Sequence, residues 1–123
     1  MTLDANIVIA LLNGELKVAE QATRWRNDGA TLLIPAIAEA EVLSFATLTP
    51  VELQKAESFL KENFTLIPMD RSIAHRAAYI RRTFKLKLPD AVIAATAIVT
   101  HTPLVTRNVK DFLKITGIRL IEI

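Results

Sequence analysis

Short apolar runs alternate with longer helical patterns along the whole chain, and no two runs are joined by a hairpin turn. That alternation constrains the fold more than any other feature, because strands without tight turns between them must cross over and lie parallel. The runs Met1–Leu3, Thr31–Ile34, Phe64–Ile67, Leu104–Val105 and Arg119–Ile123 read as strands. Helices are expected over Ile7–Leu12 and Leu16–Asn27, each followed by a glycine stop, and from Pro35 to about Ala46. A capping box with proline at the first helical position, Thr49-Pro50-Val51-Glu52, starts a helix to about Glu62. Asp70 caps another to about Thr83, and Pro89 with Asp90 opens one to about Thr100. A helical turn is expected around Val109–Leu113. The pattern predicts an α/β fold, a three-layer α/β/α arrangement around a central parallel sheet. At 123 residues, with 51% of them hydrophobic, the chain is expected to form one domain over 1–123 with a real core.

Composition removes several chemistries. There is no cysteine, so disulfides, thiolate catalysis and Cys-based zinc sites are excluded, and a reducing cytoplasm is the expected setting. His75 and His101 are the only histidines, too few for a His-rich metal site. The longest apolar-rich run, Ala91–Val99, is far short of a membrane span. Charge is unevenly placed. Residues 1–69 hold five Lys/Arg and nine Asp/Glu, giving −4, whereas residues 70–123 hold ten and four, giving +6. Such asymmetry suggests a polyanionic partner, although a solvated face gives the same count.

Against this background, a few acids stand where apolar segments meet loops or helix starts. They are Asp4 in Leu-Asp-Ala-Asn, Glu41 in Ala-Glu-Val-Leu, Asp90 in Leu-Pro-Asp-Ala, and Asp111 in Thr-Arg-Asn-Val-Lys-Asp-Phe, 106–112. A carboxylate beside a hydrophobic stretch is costly unless paired, hydrogen-bonded or bound to a metal. Each has an ordinary explanation: Asp4 as a helix cap, Asp90 as an acid at the positive end of a helix dipole, Glu41 as a solvated helix residue. Periodicity does not decide between Glu41 and Glu39, which lie on roughly opposite sides of one helix. In a parallel sheet, however, sites lie beyond the carboxyl ends of the strands, and Asp4 and Thr106–Asn108 follow strands directly. Glu41 and Asp90 sit in the first turns or early body of helices that can point back at that edge. Oxygen ligands without Cys or His suit Mg2+ or Mn2+. Asn6, Thr106 and Asn108 are candidate supports. Arg81, Arg82, Lys85, Lys87, Arg107 and Lys110 form a candidate basic rim for flanking phosphates.

In this order and spacing the motifs, with Leu-Val-Thr-Arg-Asn-Val-Lys-Asp-Phe at 104–112 and Pro-Asp-Ala-Val-Ile-Ala-Ala-Thr-Ala at 89–97, resemble the PIN-domain ribonucleases. The likeness is to the VapC-like toxins of toxin–antitoxin pairs, and it spans the chain. It implies Mg2+- or Mn2+-dependent cleavage of RNA, a homodimer, and inhibition by a cognate antitoxin. Carried over by position, it makes Asp4, Glu41, Asp90 and Asp111 the catalytic acids, with Asp4, Asp90 and Asp111 as metal ligands. It prefers Glu41 over Glu39, and it matches Thr106 to a hydroxyl lining the site. Relatives place the fourth acid either where Asn108 stands or near Asp111, and here only Asp111 is charged. Ala5 stands where relatives often carry a hydroxyl.

Two other functions fit less of the chain. A receiver-type phosphoacceptor needs paired acids after the first strand and an acceptor Asp mid-chain, yet Asp4 stands alone and Phe45–Leu53 contains no Asp. A catalytically silent PIN-like module that binds RNA or protein accounts for the uncharged Asn108.

Overall fold

The computed structural model describes residues 1–45 and 47–123. Five strands, β1 (Thr2–Leu3), β2 (Leu33–Pro35), β3 (Thr65–Ile67), β4 (Leu104–Val105) and β5 (Leu120–Ile121), form one sheet in the order β3-β2-β1-β4-β5. Every pairing is parallel. Around the sheet lie α1 (Ala5–Leu12), α2 (Leu16–Asn27), α3 (Ala36–Val42), α4 (Pro50–Asn63), α5 (Arg71–Phe84), α6 (Leu88–Val99) and α7 (Val109–Phe112). Steps β1 to β3 run one way across the sheet and the step to β4 runs the other way. Right-handed crossovers therefore cover both faces, which gives the three-layer α/β/α fold.

The three central strands β2, β1 and β4 are buried, whereas the edge strands β3 and β5 are partly exposed. Leu3, Ile34, Leu104 and Val105 are almost fully enclosed. Helix α6 explains much of that enclosure. Its stretch Ala91–Ala97 is buried throughout and packs against β1, β2, α3 and α5. Small alanines let it approach the sheet closely, and Ile93 fills the centre. No described helix is long and apolar enough to cross a membrane.

Two local differences from the sequence reading have physical causes. Pro35 does not open α3. It is the last residue of β2, with φ −61 and ψ 140, and the helix begins at Ala36. Helix α3 also stops at Val42, well before the expected Ala46, a residue that itself lies outside the described ones. The Ser44 hydroxyl donates to the Glu41 carbonyl at 2.8 Å, and the Ser44 N–H bonds the same carbonyl. A serine that captures a helix carbonyl in this way ends the ladder. Elsewhere the caps are as expected, including the complete Thr49–Glu52 capping box. Helix α5 ends on Lys85, held in the left-handed region at φ 58, ψ 36.

Candidate active site

In the order β3-β2-β1-β4-β5, the connections reverse direction between β1 and β4, the place where open parallel sheets form their clefts. Asp4 leaves β1 there and Thr106 leaves β4 beside it. Asp4 is 5% exposed and Thr106 fully buried. The Asp4 carboxylate is held from three sides. Its Oδ1 accepts the Ala5 N–H at 2.8 Å, which makes it the cap of α1. Its Oδ2 accepts the Thr106 hydroxyl at 2.7 Å and the Asn6 amide at 3.4 Å. Thr106 Oγ1 in turn accepts the Asn108 N–H at 3.0 Å, so the hydroxyl proton is left to point at Asp4. Asn6 is steadied by the Arg107 N–H on its Oδ1. Capping and site placement are thus one geometry, and the two explanations of Asp4 do not compete.

The other acids share the field of Asp4. Burial pushes the Asp4 carboxyl above its ordinary value; the Thr106 and Ala5 bonds pull it back, and the charge of Asp111 adds to the rise. Glu41 is raised by burial and then by the charges of Asp4 and Asp90. Asp90, in the first turn of α6, is raised by burial and by Asp4 and Asp111, with Lys87 opposing. Burial is the largest cause for all three, and like charges within reach, which disfavour one another's ionised forms, push the same way. Glu41 turns inward, whereas Glu39 lines a different groove with Leu43 and Glu57. Periodicity could not make that choice; the packing of α3 against α1 and α6 makes it.

Glu41 carries the oddest atom of the site. Its Oε1 is buried and has no hydrogen-bond partner. A buried carboxylate oxygen without a donor is expensive, and a cation is what such an atom can accept. The donor set is all oxygen, which suits a hard divalent ion. Among the described residues, no three acids yet close on one point as a finished ligand cage.

The remaining candidates divide. Asn108 is exposed, and its side chain caps nothing in α7. Asp111 is also exposed, and it lines a cleft of about 380 Å3 with Asp90, Lys85, Lys87, Lys110 and Lys114. Arg81 and Arg82 lie exposed in the last turn of α5 and do not line it. The Arg107 guanidinium is engaged elsewhere, forked onto Glu15 at 2.7 and 3.0 Å. Lys114 was missed by the sequence reading, although it stands four residues beyond Lys110 and so repeats its helical phase.

The PIN-domain profile matches residues 1–118. The chain belongs to the PIN-domain family. Similar proteins agree with that membership. A toxin–antitoxin complex from Klebsiella pneumoniae contains a chain 33% identical, covering 98% of this chain and 94% of that one, with a TM-score of 0.82. Ribonuclease VapC1 of Rickettsia felis is 27% identical over 100% of this chain and 96% of its own length. The VapBC2 structure from Rickettsia felis, bound to a promoter DNA fragment, superposes with a TM-score of 0.86 over 99% of this chain and 97% of that one. At 19% identity, that last likeness speaks for the PIN fold alone.

Proposed function

We propose that this PIN-domain protein is a metal-dependent endoribonuclease and the toxin of a toxin–antitoxin pair, acting as one domain over 1–123. The observation that carries the reading is the partnerless, buried Glu41 Oε1 beside two other raised acids. Asp4, Asp90 and Asp111 are the residues that would hold Mg2+ or Mn2+, with Glu41 completing the acidic wall. A divalent cation bound there supplies charge to oppose that developing on the phosphate and lowers the pKa of an attacking water. The chain's own groups do the rest. Thr106 and the Ala5 N–H fix the Asp4 carboxylate, Asn6 steadies it, and the buried walls of α6 keep bulk water from its rear.

Antitoxin binding is supported by a second feature on the same side of α1. A groove of about 370 Å3 runs between α1, α3 and α4, lined by Ile9, Leu12, Val42, Phe45 and Phe59. Its mostly apolar lining suits the apolar face of a partner helix better than it suits RNA phosphates. Exposed Leu16, Val51 and Leu88 leave further apolar surface for a homodimer. A cytoplasmic setting accords with the absence of cysteine.

The test is cleavage of a mixed RNA pool by the purified protein with Mg2+, with Mn2+ and with EDTA, alongside Asp90→Asn. Metal-dependent cleavage that disappears in the variant supports the reading. A folded wild type that cleaves nothing in any of these conditions points to a silent binding module.

A further inference from the structure

The cleft beside Asp90 and Asp111 has an unusual lining. Four lysines, Lys85, Lys87, Lys110 and Lys114, share its wall with those two acids. Four positive groups against two negative ones leave it cationic by two. Its volume of about 380 Å3 falls in the range of small-ligand sites, about 300–1,000 Å3. None of the lysines closes on a carboxylate: among the described residues the one ion pair within 4 Å is Arg107–Glu15. Ammonium groups that ring a cleft without pairing to the acids in it are available to an anion.

Lys85 adds an independent observation. It ends α5 in the left-handed region, φ 58, where glycine or asparagine is the low-cost residue. Here the chain carries a long basic side chain at that position, and the side chain reaches the cleft. Lys87, two residues on, is close enough to Asp90 for its charge to act on that acid. Lys110 and Lys114 approach from α7 and the turn after it. Two separate segments of the fold thus deliver cations to one place next to the acids.

Building on the nuclease reading, we propose that this lysine cleft seats a backbone phosphate of the RNA strand next to the cleavage point, so the strand leaves the acids past α7 and the start of α6. Arg107 lies outside the path, because Glu15 holds its fork. The consequence is chemical. Lysines meet phosphate as point charges, without the fixed fork by which an arginine selects a planar partner. The cleft therefore supplies affinity and salt dependence and leaves base choice to other surfaces.

The experiment is binding of a labelled mixed-sequence single-stranded RNA across a salt series in EDTA, for wild type, Lys114→Ala, Lys85→Gly and Lys17→Ala, with Tm measured on each. Cleavage by the same proteins is then followed in Mn2+. Lys114→Ala and Lys85→Gly should each reduce the salt slope by about 0.7, the value for one phosphate contact on a single strand. Both should raise KM several-fold with kcat kept, equally for every base composition. Lys85→Gly should hold or raise Tm, since glycine relieves the left-handed residue. A stability defect cannot then imitate the loss. Lys17→Ala, in a separate groove with Trp25 and Ile121, removes the same charge and should keep the wild-type slope. If both cleft variants keep the wild-type slope while wild type still cleaves, the cleft is not the RNA path and the nuclease reading stands. If either weakens binding for one base only, the phosphate assignment fails. A wild type that neither binds nor cleaves the pool removes both this inference and the nuclease reading.

Discussion

The two ends of the β1–β4 pair carry polar clusters of opposite character. At the amino end, Thr2 and Thr102 share a hydroxyl contact at 2.6 Å, and Thr102 meets Thr100 at 3.0 Å. Thr100 then donates to the Thr96 carbonyl, and Thr96 to that of Val92. The chain of hydroxyls is neutral and each member has a partner. At the carboxyl end, two residues beyond Thr2 and four beyond Thr102, a hydroxyl again bridges the pair, but from Thr106 to the carboxylate of Asp4. Here the neighbours are more acids, three carboxyls counting Asp4 have raised pKa, and one buried oxygen has no partner. The same two strands are tied at both ends by threonine. Only one end stores unfavourable charge. Polar groups that satisfy one another hold a fold together, whereas polar groups left wanting are held ready for a ligand.

The comparison breaks most visibly at the acids. Asp4→Asn or Asp90→Asn should cut cleavage by about 10^3-fold, the loss expected when a metal interaction worth several kcal/mol goes. Tm of the metal-free protein should hold or rise, because like-charge repulsion is relieved. A variant with wild-type cleavage would remove that acid from the site. Next comes Thr106→Val, which keeps the shape but strips Asp4 Oδ2 and the Asn108 N–H of their shared partner. Metal affinity, read by calorimetric titration, should fall about 10–100-fold, the usual cost of losing a ligand's support. Thr102→Val tests the opposite end. It should cost roughly 1 kcal/mol of stability in urea unfolding and leave cleavage unchanged. Equal effects of Thr106→Val and Thr102→Val on activity would erase the distinction between the two ends.

Acidity gives a smaller but signed effect. Asp4, Glu41 and Asp90 all have folded pKa values above those of the unfolded chain. Folding therefore takes up protons in the window above the ordinary carboxylate values of about 3.9 and 4.3. The stability they contribute is fully present below that window and is lost as pH rises through it. Metal-free protein should thus gain Tm as pH falls from neutral into the window, before general acid unfolding. Cation affinity, which needs the charged carboxylates, should weaken over the same range. A Tm that declines steadily from neutral pH in the wild type would contradict the raised values. Smallest of all, Glu15→Gln should shift Tm barely measurably and less still in high salt, since the Arg107 pair lies at the surface.

What the sequence disclosed follows the range of the forces involved. Strand order aside, the alternation of patterns was enough for the parallel α/β/α fold, because hydrophobic period and caps act over a few residues. The glycine stops at Gly14 and Gly29, both at positive φ, are of that kind. So is the Thr49 capping box. The end of α3 was misjudged because Ser44 breaks the ladder through its own hydroxyl, a competition that composition does not rank. Glu41 could be separated from Glu39 in the sequence only by resemblance, since a short helix offers two plausible faces until its neighbours are packed. The Arg107–Glu15 fork joins residues 92 positions apart, and nothing local at either residue announces the other. A basic residue counted along the chain is a candidate; which anion already holds it is a matter of the third dimension.

The central position of β1 also sets an order of events during synthesis. The strand is made before the rest of this sheet, and one of its neighbours, β4, begins only at Leu104. Until that stretch leaves the ribosome, Asp4 has no Thr106 to hold it and the sheet is open along one side of β1. Asp111 arrives later still. A nascent chain, or one cut short by a broken message, therefore carries three acids without the scaffold that aligns them. The cell making this protein meets an assembled acidic site only once β4 and α7 have been made.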